Sequence, residues 1–378
     1  MRIGIVTGEY PPMQGGVGAF SQIIARKLTE HGHQVRVFSS TTAQSEDKDI
    51  PLTQHSGHWG LRVLPEINQW AETNELDLIN IQFQTAAYGM SPYIHFLPDY
   101  VRDIAVITTF HDLRFPYLFP KAGRLRDWIV MHLARASEGI IVTNHEDFER
   151  VKHLQAAMIP IGSNILTDLP TDYDQNVWRA KAGAQAGEFL IAYFGFMNRS
   201  KGIELLLQSL SDLIQQQVPA KLVLIGGRTG SSDPTNAAYA SEVETLIQKL
   251  GLAAHVCWTG FVNEAEVTAY LKTSDVVALP FLDGASFRRG TLMAAIHHGC
   301  LIVTTQPQAA IPEFGGVNPI LVAPEAQALT KALRKVYETA AFSTFDAERD
   351  AVQRLNAYFD WNNIARDTAA FFERVIHA

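Results

Sequence analysis

The chain has 378 residues and a net charge of −8; 47% of its residues are hydrophobic and 19% are charged. The length suits two ordinary domains, and the apolar content excludes an intrinsically disordered chain. Because acidic residues outnumber basic ones and no long basic run occurs, the composition disfavours binding to a nucleic-acid backbone. No stretch approaches the ~20 apolar residues of a membrane span, and the first residues lack the pattern of a signal peptide. We expect a cytoplasmic protein, and a nucleotide or small polar substrate stays open.

The first half of the chain alternates short β-rich runs with amphipathic helical segments. The β-rich runs lie at 3–7, 35–39, 78–82, 105–109 and 139–143, and the helical segments include 17–31 and 124–136. This alternation is typical of parallel βαβ units. A polar segment at 168–187, with one proline and three aspartates, interrupts it and is interpreted as the connection between two domains.

The alternation resumes after this segment. Strands are predicted at 190–194, 221–225, 256–259, 276–279 and 301–304, and helices at 203–216, 238–250, 264–271, 291–298, 326–341, 348–358 and 361–376. We predict two Rossmann-like, doubly wound parallel-sheet domains facing a cleft, at 1–168 and 188–360, with a C-terminal helix at 361–378 packing back toward the first domain. In such sheets, ligands bind on loops beyond the carboxyl ends of the strands.

A glycine-rich loop at 8–18 follows the first strand. Gly15, Gly16 and Gly18 permit close approach of a ligand to the backbone and open a helix whose N-terminus can receive an anion. The loop does not match a dinucleotide-binding fingerprint, because Ser21 stands where its third glycine is expected. A flexible turn without a ligand is the alternative.

His111 follows the run at 105–109 and so lies at the ligand edge of the first sheet. It could bind a sugar hydroxyl or a backbone carbonyl or act as a base, with a loop-capping role as the alternative. His145 also follows a strand, but Asn144 before it suits an N-cap, which favours a structural role.

Two loops of the second half carry cations at strand ends. The loop at 195–202 brings Arg199 and Lys201 to a helix N-terminus, where the helix dipole disfavours cations unless an anion lies between them. The loop at 280–291 brings two further arginines through a glycine-containing turn to the next helix. We predict a nucleoside diphosphate there, with solvated surface cations as the alternative.

No metal site is expected. The aspartates at 172 and 174 lie in the connection rather than at a strand end, and no His/Cys pair has the spacing of metal ligands.

In order and spacing, the motifs resemble those of the retaining family 4 glycosyltransferases with the two-Rossmann GT-B fold. They cover almost the whole chain and are YPP at 10–12, GGVG at 15–18, FHD at 110–112, IPIGSN at 159–164, GFMNRSKG at 195–202, LIGG at 224–227, TGFV at 259–262, SDVVALP at 274–280 and Trp361. Each motif alone is weak, and their order and spacing together are specific. The resemblance implies a nucleoside diphosphate sugar on the C-terminal domain, an acceptor on the N-terminal domain, and retaining transfer without a metal ion.

The resemblance also implies roles for single residues. Lys201 matches the diphosphate-binding lysine of the family, His111 its sugar-contacting histidine, and Gly15 and Gly16 the loop near the donor phosphate and the acceptor. The segment that holds the base corresponds to Gly260, Phe261 and Val262. The predicted catalytic residues are His111, Arg199 and Lys201. The predicted donor and diphosphate site comprises Gly15, Gly16, Arg199, Lys201, Asp283, Ser286, Phe287, Arg288, Arg289, Gly290 and Thr291.

The chain departs from the family pattern at two places. An arginine commonly follows the first glycine of the loop at 195–202; here Phe196 follows, and Arg199 is a candidate substitute. The family also has two glutamates, one contacting the donor sugar and one the ribose, where Ser286 and Ala294 stand here.

Three functions are compatible with these observations. The first is a retaining, metal-independent transferase that moves a sugar from a UDP- or GDP-sugar to a hydroxyl in glycan, glycolipid or cell-surface polysaccharide synthesis. The second, prompted by the absent glutamates, is a nucleotide-sugar-binding regulator or partner subunit, although Asp283 is a candidate to replace one glutamate. The third is an epimerase with His111 and either Glu9 or Asp112 as acid and base.

The helix predicted at 124–136 bears on membrane contact. Along and before it, four basic residues flank Leu125, Trp128, Ile129 and His132: Lys121, Arg124, Arg126 and Arg135. Relatives with lipid acceptors use such a surface, and packing of the helix on its own sheet is the alternative. Peripheral contact with the inner face of a membrane is therefore open.

Overall fold

A computed structural model describes residues 1–13, 15–45, 47–113, 124–166, 168–227, 234–315, 318–340 and 346–378. The chain forms two compact units: unit 1 comprises Met1–Asn164 and Phe359–Ala378, and unit 2 comprises Ile165–Tyr358.

The first part of unit 1 alternates strands and helices. Its elements are β1 (Arg2–Thr7), α1 (Gly16–Glu30), β2 (Gln34–Ser40), β3 (Leu52–His55), α2 (Val63–Thr73), β4 (Leu78–Phe83), α3 (Leu97–Tyr100), β5 (Ala105–Phe110), α4 (Arg124–Ala136), β6 (Gly139–Val142), α5 (His145–Val151) and β7 (Ala156–Met158).

Unit 2 repeats the pattern, and the chain then returns to unit 1. The elements of unit 2 are α6 (Gln175–Lys181), β8 (Phe189–Phe194), α7 (Ile203–Gln215), β9 (Ala220–Ile225), α8 (Pro234–Lys249), β10 (Val256–Gly260), α9 (Glu264–Thr273), β11 (Val276–Leu279), α10 (Gly290–His297), β12 (Ile302–Thr305), β13 (Ile320–Val322), α11 (Ala326–Ala340) and α12 (Asp346–Tyr358). The last helix is α13 (Trp361–Ile376).

Each unit is built on one parallel sheet. The strand order is β3-β2-β1-β4-β5-β6-β7 in unit 1 and β10-β9-β8-β11-β12-β13 in unit 2. The chain winds outward from β1 to β3 and then crosses to β4 on the other side of β1; in unit 2 it winds from β8 to β10 and crosses to β11. Ligands of doubly wound sheets bind at such reversals, at the carboxyl ends of the strands.

Two apolar clusters lie on the two faces of the sheet of unit 1. One of them joins α1 and the sheet to α13, through Trp361, Phe371, Phe372 and Val375. The indole Nε1 of Trp361 donates a 2.7 Å hydrogen bond to the backbone oxygen of Ser163, and the side chain is buried. The last helix is therefore anchored in unit 1, although it follows unit 2 in the sequence.

The structure differs from the sequence-based expectations in short elements. Three strands were not expected: β3 is largely exposed and polar, and β7 and β13 have three residues each. The segment 168–187, expected as an irregular connection, lies in unit 2 and contains α6, whose first turn is capped by the Asp174 carboxylate accepting from Val177 N. Patterns this short carry little periodicity, so local sequence signals them poorly.

The helix α4 packs on its own sheet through Val130, Leu133 and Ala134, which are buried. Trp128 is 49% exposed, and the His132 ring lies 5.4 Å from it and pairs with Asp99. Lys121 and the side chains of Arg124, Leu125 and Arg126 lie outside the described residues. None of the described helices has the length and apolar character of a membrane span.

Candidate functional site

The two basic loops of unit 2 leave neighbouring central strands. The loop at 195–202 follows β8 and the loop at 280–289 follows β11, which pairs directly with β8. The two cation-bearing loops, which are far apart in the sequence, therefore meet at the reversal of strand order. This is the position where a doubly wound sheet binds its ligand.

Lys201 lies at the centre of this edge. A Cβ atom on Gly195 would be 2.6 Å from Lys201 Nζ and 2.9 Å from Thr291 Cγ2, so these three residues converge. Gly195 has a φ of +131°, a conformation that L side chains rarely adopt. The glycine thus allows the ammonium group to lie against the end of β8.

The N-terminus of α10 is open beside Lys201. Arg289 occupies the N-cap position but makes no side-chain cap, and its backbone oxygen accepts from the amides of Leu292 and Met293. In the described ranges, the amides of Gly290 and Thr291 have no acceptor. Free amides at a helix N-terminus bind anions, because they add hydrogen bonds to the positive end of the helix dipole.

Two cations face each other here. Burial, with a smaller contribution from the charge of Arg289, lowers the pKa of Lys201 to about 8. Arg289 is ion-paired with Asp283, and its guanidinium lies 4.8 Å from the Phe281 ring centroid. Among the residues that the structure describes, Lys201 Nζ has no hydrogen-bond or ion-pair partner. An anion bound there would supply the missing counter-charge.

Arg199 is directed elsewhere. Its guanidinium pairs with Glu242 on α8 and lies 5.0 Å from the Tyr239 ring centroid, with a side chain that is 65% exposed. A direct contact between Arg199 and an anion at Lys201 would require it to leave Glu242. The two predicted cations therefore lie apart in this structure: Arg199 contacts α8, and Lys201 lies at the carboxyl end of β8.

Backbone segments at the ends of three adjacent strands, β8, β9 and β10, connect the loop of Lys201 with the predicted base-binding segment. A Cβ atom on Gly226, after β9, would lie 3.3 Å from the backbone oxygen of Gly195, and Gly226 forms an isolated bridge with Gly260 at the end of β10. Phe261 is 72% exposed and Val262 is half-buried. Trp258 lies beside these segments, and its Nε1 donates a 3.1 Å hydrogen bond to the Gly226 backbone oxygen.

Gly226 and Trp258 were not among the predicted site residues. The signal that could have found Gly226 is the Gly226–Gly227 pair, which directly follows β9, whereas Trp258 lies within a strand and had no such signal.

Other predicted residues of the loop after β11 take different places. Phe287 is buried, with its ring 5.5 Å from that of Phe314, so only its backbone can contribute to a ligand site. The half-buried Ser286 accepts a 3.4 Å hydrogen bond from the amide of Arg288, which is half-buried too. Ala294 is fully buried in α10, so the position of a family glutamate is here part of the core.

The glycine-rich loop of unit 1 encloses a carboxylate. A Cβ atom on Gly15 would lie 2.0 Å from Glu9 Oε2, whereas one on Gly16 would meet nothing within 4 Å. Gly15 is the N-cap of α1 and provides no side-chain cap. Burial raises the pKa of Glu9. The loop therefore leaves open space above Gly16.

His111 lies at the end of β5 and is held by a neutral partner. Its Nε2 lies 2.9 Å from Gln82 Oε1, and its ring contacts Phe20 edge-to-face at 4.7 Å between centroids. Burial lowers the pKa of His111 to about 4, so the ring is neutral at physiological pH and a weak base. This geometry supports hydrogen bonding to a hydroxyl over the predicted acid–base role, and it disfavours the epimerase hypothesis.

One further expectation concerns helix capping. The Asn144 side chain accepts from the amide of Asp147, so Asn144 caps the helix that begins at His145. Within the described part of the chain, no group of three or more His, Cys, Asp or Glu residues could hold a metal ion.

Comparison with known families follows the division into two units. The family model described as "Glycosyl transferases group 1" matches residues 188–339, and the model described as "Glycosyltransferase Family 4" matches residues 14–161. Together the two models match most of the chain, one in each unit, and both are models of glycosyltransferases.

Three proteins illustrate what this glycosyltransferase is similar to. It is 21% identical to an uncharacterized glycosyltransferase of Methanocaldococcus jannaschii, over 99% of this chain and 98% of that protein. It is also 21% identical to phosphatidyl-myo-inositol mannosyltransferase of Mycobacterium leprae, over 99% and 97% of the two chains.

HepE from Anabaena in complex with UDP matches with a TM-score of 0.76 and 19% identity, over 99% of this glycosyltransferase and 100% of HepE. A second HepE structure contains UDP and glucose. The glycosyltransferase has the GT-B fold, as the sequence predicted.

Proposed function

We propose that this glycosyltransferase transfers a sugar from a nucleoside diphosphate sugar, with UDP or GDP as the nucleotide, to a hydroxyl acceptor. The observation that carries the proposal is the convergence of Lys201 Nζ, Gly195 and Thr291 at the open N-terminus of α10. A cation without a counter-charge beside two free amides is a site for a diphosphate. The UDP in HepE, which shares the fold, supports the same class of ligand.

The edge of the sheet has room for the rest of the nucleotide. Adjacent strands lie about 4.8 Å apart, so the end of β10 is about 10 Å from the end of β8. A ribose bridges such a distance between a diphosphate at Lys201 and a base beside Phe261. We therefore assign the base to the segment from Gly260 to Val262.

The chemistry needs stabilisation of charge on the departing diphosphate. As the bond between the anomeric carbon and the phosphate oxygen breaks, the ammonium of Lys201 and the amides of Gly290 and Thr291 stabilise the developing negative charge. With these positive groups in place, we propose that transfer proceeds without a metal ion.

We propose that the anomeric configuration is retained. The acceptor hydroxyl attacks from the face that the diphosphate leaves, and its proton passes to a departing phosphate oxygen, so no protein nucleophile is required. The carboxylate of Asp283, in the loop after β11, is paired with Arg289. In unit 1, we assign His111 to recognition of a sugar and the open space at Gly16 to binding of the acceptor.

The test is a thermal-shift and calorimetric series with UDP, GDP, ADP and TDP, each with and without EDTA. We expect one nucleotide to stabilise the protein equally in both conditions, with a gain of ~2.7 kcal/mol at ~100 times its dissociation constant. NMR of the product anomer then tests retention. Absence of a shift with all four nucleotides would overturn the assignment of the diphosphate site.

The second candidate is a nucleotide-sugar-binding protein without transfer. One observation favours it. Ala294, at the position of a family glutamate, is buried, and the carboxylate of Asp283, the candidate replacement, is ion-paired with Arg289, so neither position offers a free carboxylate to a donor sugar. Nucleotide-sugar binding without release of free nucleoside diphosphate, across sugar and lipid-linked acceptors, would distinguish it. Peripheral membrane contact through α4 stays a prediction.

A further inference from the structure

A buried chain of polar side chains leads to His111. The strand β4 is apolar except for Asn80 and Gln82, which are 2% and 1% exposed and point to the same face of the sheet. Burying an amide costs free energy unless its donors and acceptors are paired. Two amide side chains on one face of an otherwise apolar, buried strand therefore suggest a function that apolar residues could not perform.

The direction of the hydrogen bonds along this chain is determined by a backbone carbonyl. Asn80 Nδ2 lies 3.0 Å from the backbone oxygen of Ile107 and 3.0 Å from Thr109 Oγ1. A carbonyl only accepts, so the nitrogen of the Asn80 amide must face it, and Oδ1 must face Gln82. The Nε2 group of Gln82 donates to that oxygen.

Gln82 then presents only its oxygen to His111. Gln82 Oε1 lies 2.9 Å from His111 Nε2, and an amide oxygen has no hydrogen to give. The proton of the neutral ring is therefore on Nε2, and Nδ1 carries a lone pair. The ring is held in place by Phe20, and the His111 amide donates a 3.0 Å hydrogen bond to the Phe83 oxygen.

We infer that Gln82 is a positioning residue that locks His111 in the Nε2–H tautomer, so that Nδ1 accepts a hydrogen bond from a substrate hydroxyl. The inference rests on the proposed function, because the hydroxyl belongs to a sugar substrate of the transfer. It also predicts specificity. The site favours a hydroxyl, which can donate a hydrogen bond to Nδ1, over a methoxy or carbonyl group, which can only accept one.

The first test is ¹⁵N NMR of the protein labelled in histidine, which reports the protonated ring nitrogen directly. The His111 signals are assigned by their loss in His111→Gln. In the wild-type protein we expect a protonated Nε2 and a lone pair on Nδ1, without any need for turnover. A protonated Nδ1 in the wild-type protein would overturn the inference.

Variants of Gln82 test whether this residue sets the tautomer. Gln82→Met, of similar size and without an acceptor, removes the hydrogen bond that holds the Nε2 proton and should allow a minor fraction of the Nδ1–H tautomer to appear, whereas Gln82→Glu keeps an acceptor opposite Nε2 and should keep Nε2 protonated. Thr109→Val is the matched control, because it leaves Asn80 bonded to the Ile107 oxygen, and its tautomer should equal that of the wild type. An unchanged tautomer in folded Gln82→Met would refute the role, and if that variant does not fold, the wild-type and Gln82→Glu spectra still decide.

A failure of the proposed function gives a different result. If UDP and GDP do not bind, the nucleotide site is wrong while the tautomer of His111 is still measured. If UDP-glucose binds, it should shift the Nδ1 resonance in the wild-type protein and not in Gln82→Met. Binding without a shift of Nδ1 would overturn the acceptor role of this nitrogen.

Discussion

Gly195 and Lys201 are in direct contact at the end of β8, where a Cβ atom on the glycine would come within 2.6 Å of the lysine ammonium group. The contact ties a backbone position of the first strand of unit 2 to the cation that we assign to the diphosphate. A side chain at Gly195 and an ammonium group at its present place exclude each other.

Gly195→Ala should therefore weaken nucleotide binding by at least about tenfold, or ~1.4 kcal/mol. The φ of +131° adds a backbone cost of about 1–3 kcal/mol to the folded state. Gly251→Ala is the matched control, because its φ is +70° but no atom lies within 4 Å of the added Cβ. Calorimetry with the stabilising nucleotide and urea unfolding separate the two effects, and wild-type affinity in Gly195→Ala would contradict the site.

Lys201→Met should abolish nucleotide binding and make the free protein more stable. A lysine with a pKa of about 8 in the folded state and its ordinary value in the unfolded state reduces stability at neutral pH. This cost is present below pH 8 and disappears as the pH rises toward 10.5. We expect the variant to gain roughly 1–3 kcal/mol in the free energy of unfolding at pH 7. Lys249→Met, at an exposed lysine, should change neither quantity.

Nucleotide binding should be linked to proton uptake above pH 8. The bound diphosphate favours the charged form of Lys201 and raises its pKa. Where the Lys201 amine is neutral in the free protein, it therefore takes up a proton when the nucleotide binds. Affinity should fall by up to about tenfold per pH unit above 8. Calorimetry at pH 9 in two buffers of different ionisation enthalpy measures the uptake. Its absence would show that Lys201 does not contact the anion.

The ion pair between Asp283 and Arg289 can be removed as a unit. Since Arg289 lowers the pKa of Lys201, the double variant Asp283→Asn/Arg289→Met should move the pH at which nucleotide affinity declines to above 8. Removing both partners avoids leaving one charge without its counter-charge. The pH profile of UDP or GDP affinity is the measurement, and an unchanged midpoint would mean that Arg289 does not act on Lys201.

Trp361→Phe should destabilise unit 1 and leave nucleotide binding intact. The change removes the hydrogen bond to the Ser163 oxygen and part of a buried ring, at a cost of roughly 1–3 kcal/mol. Trp128→Phe, at a residue 49% exposed, is the control and should cost much less. Urea unfolding followed by circular dichroism tests this, and equal effects of the two changes would contradict the anchoring of α13.

Much of the fold could be predicted because its signals are local. Alternating β-rich and amphipathic runs identify the long strands and helices, and the parallel sheets follow from their order. The short edge strands β3, β7 and β13 were missed because three or four residues show no clear period. The C-terminal helix was expected to return to the first domain, and Trp361 is part of the core of unit 1.

The candidate site divides in the same way. The sequence by itself determined which loops follow the strands and that two of them carry cations and glycines, because those properties belong to neighbouring residues. Only the tertiary structure decided that Lys201 faces Thr291, that Arg199 pairs with Glu242, and that Gln82 bonds to His111. Pairing between distant residues depends on which strands are neighbours in the sheet, and the charge state of each group depends on its burial. Neither property is contained in the local sequence pattern.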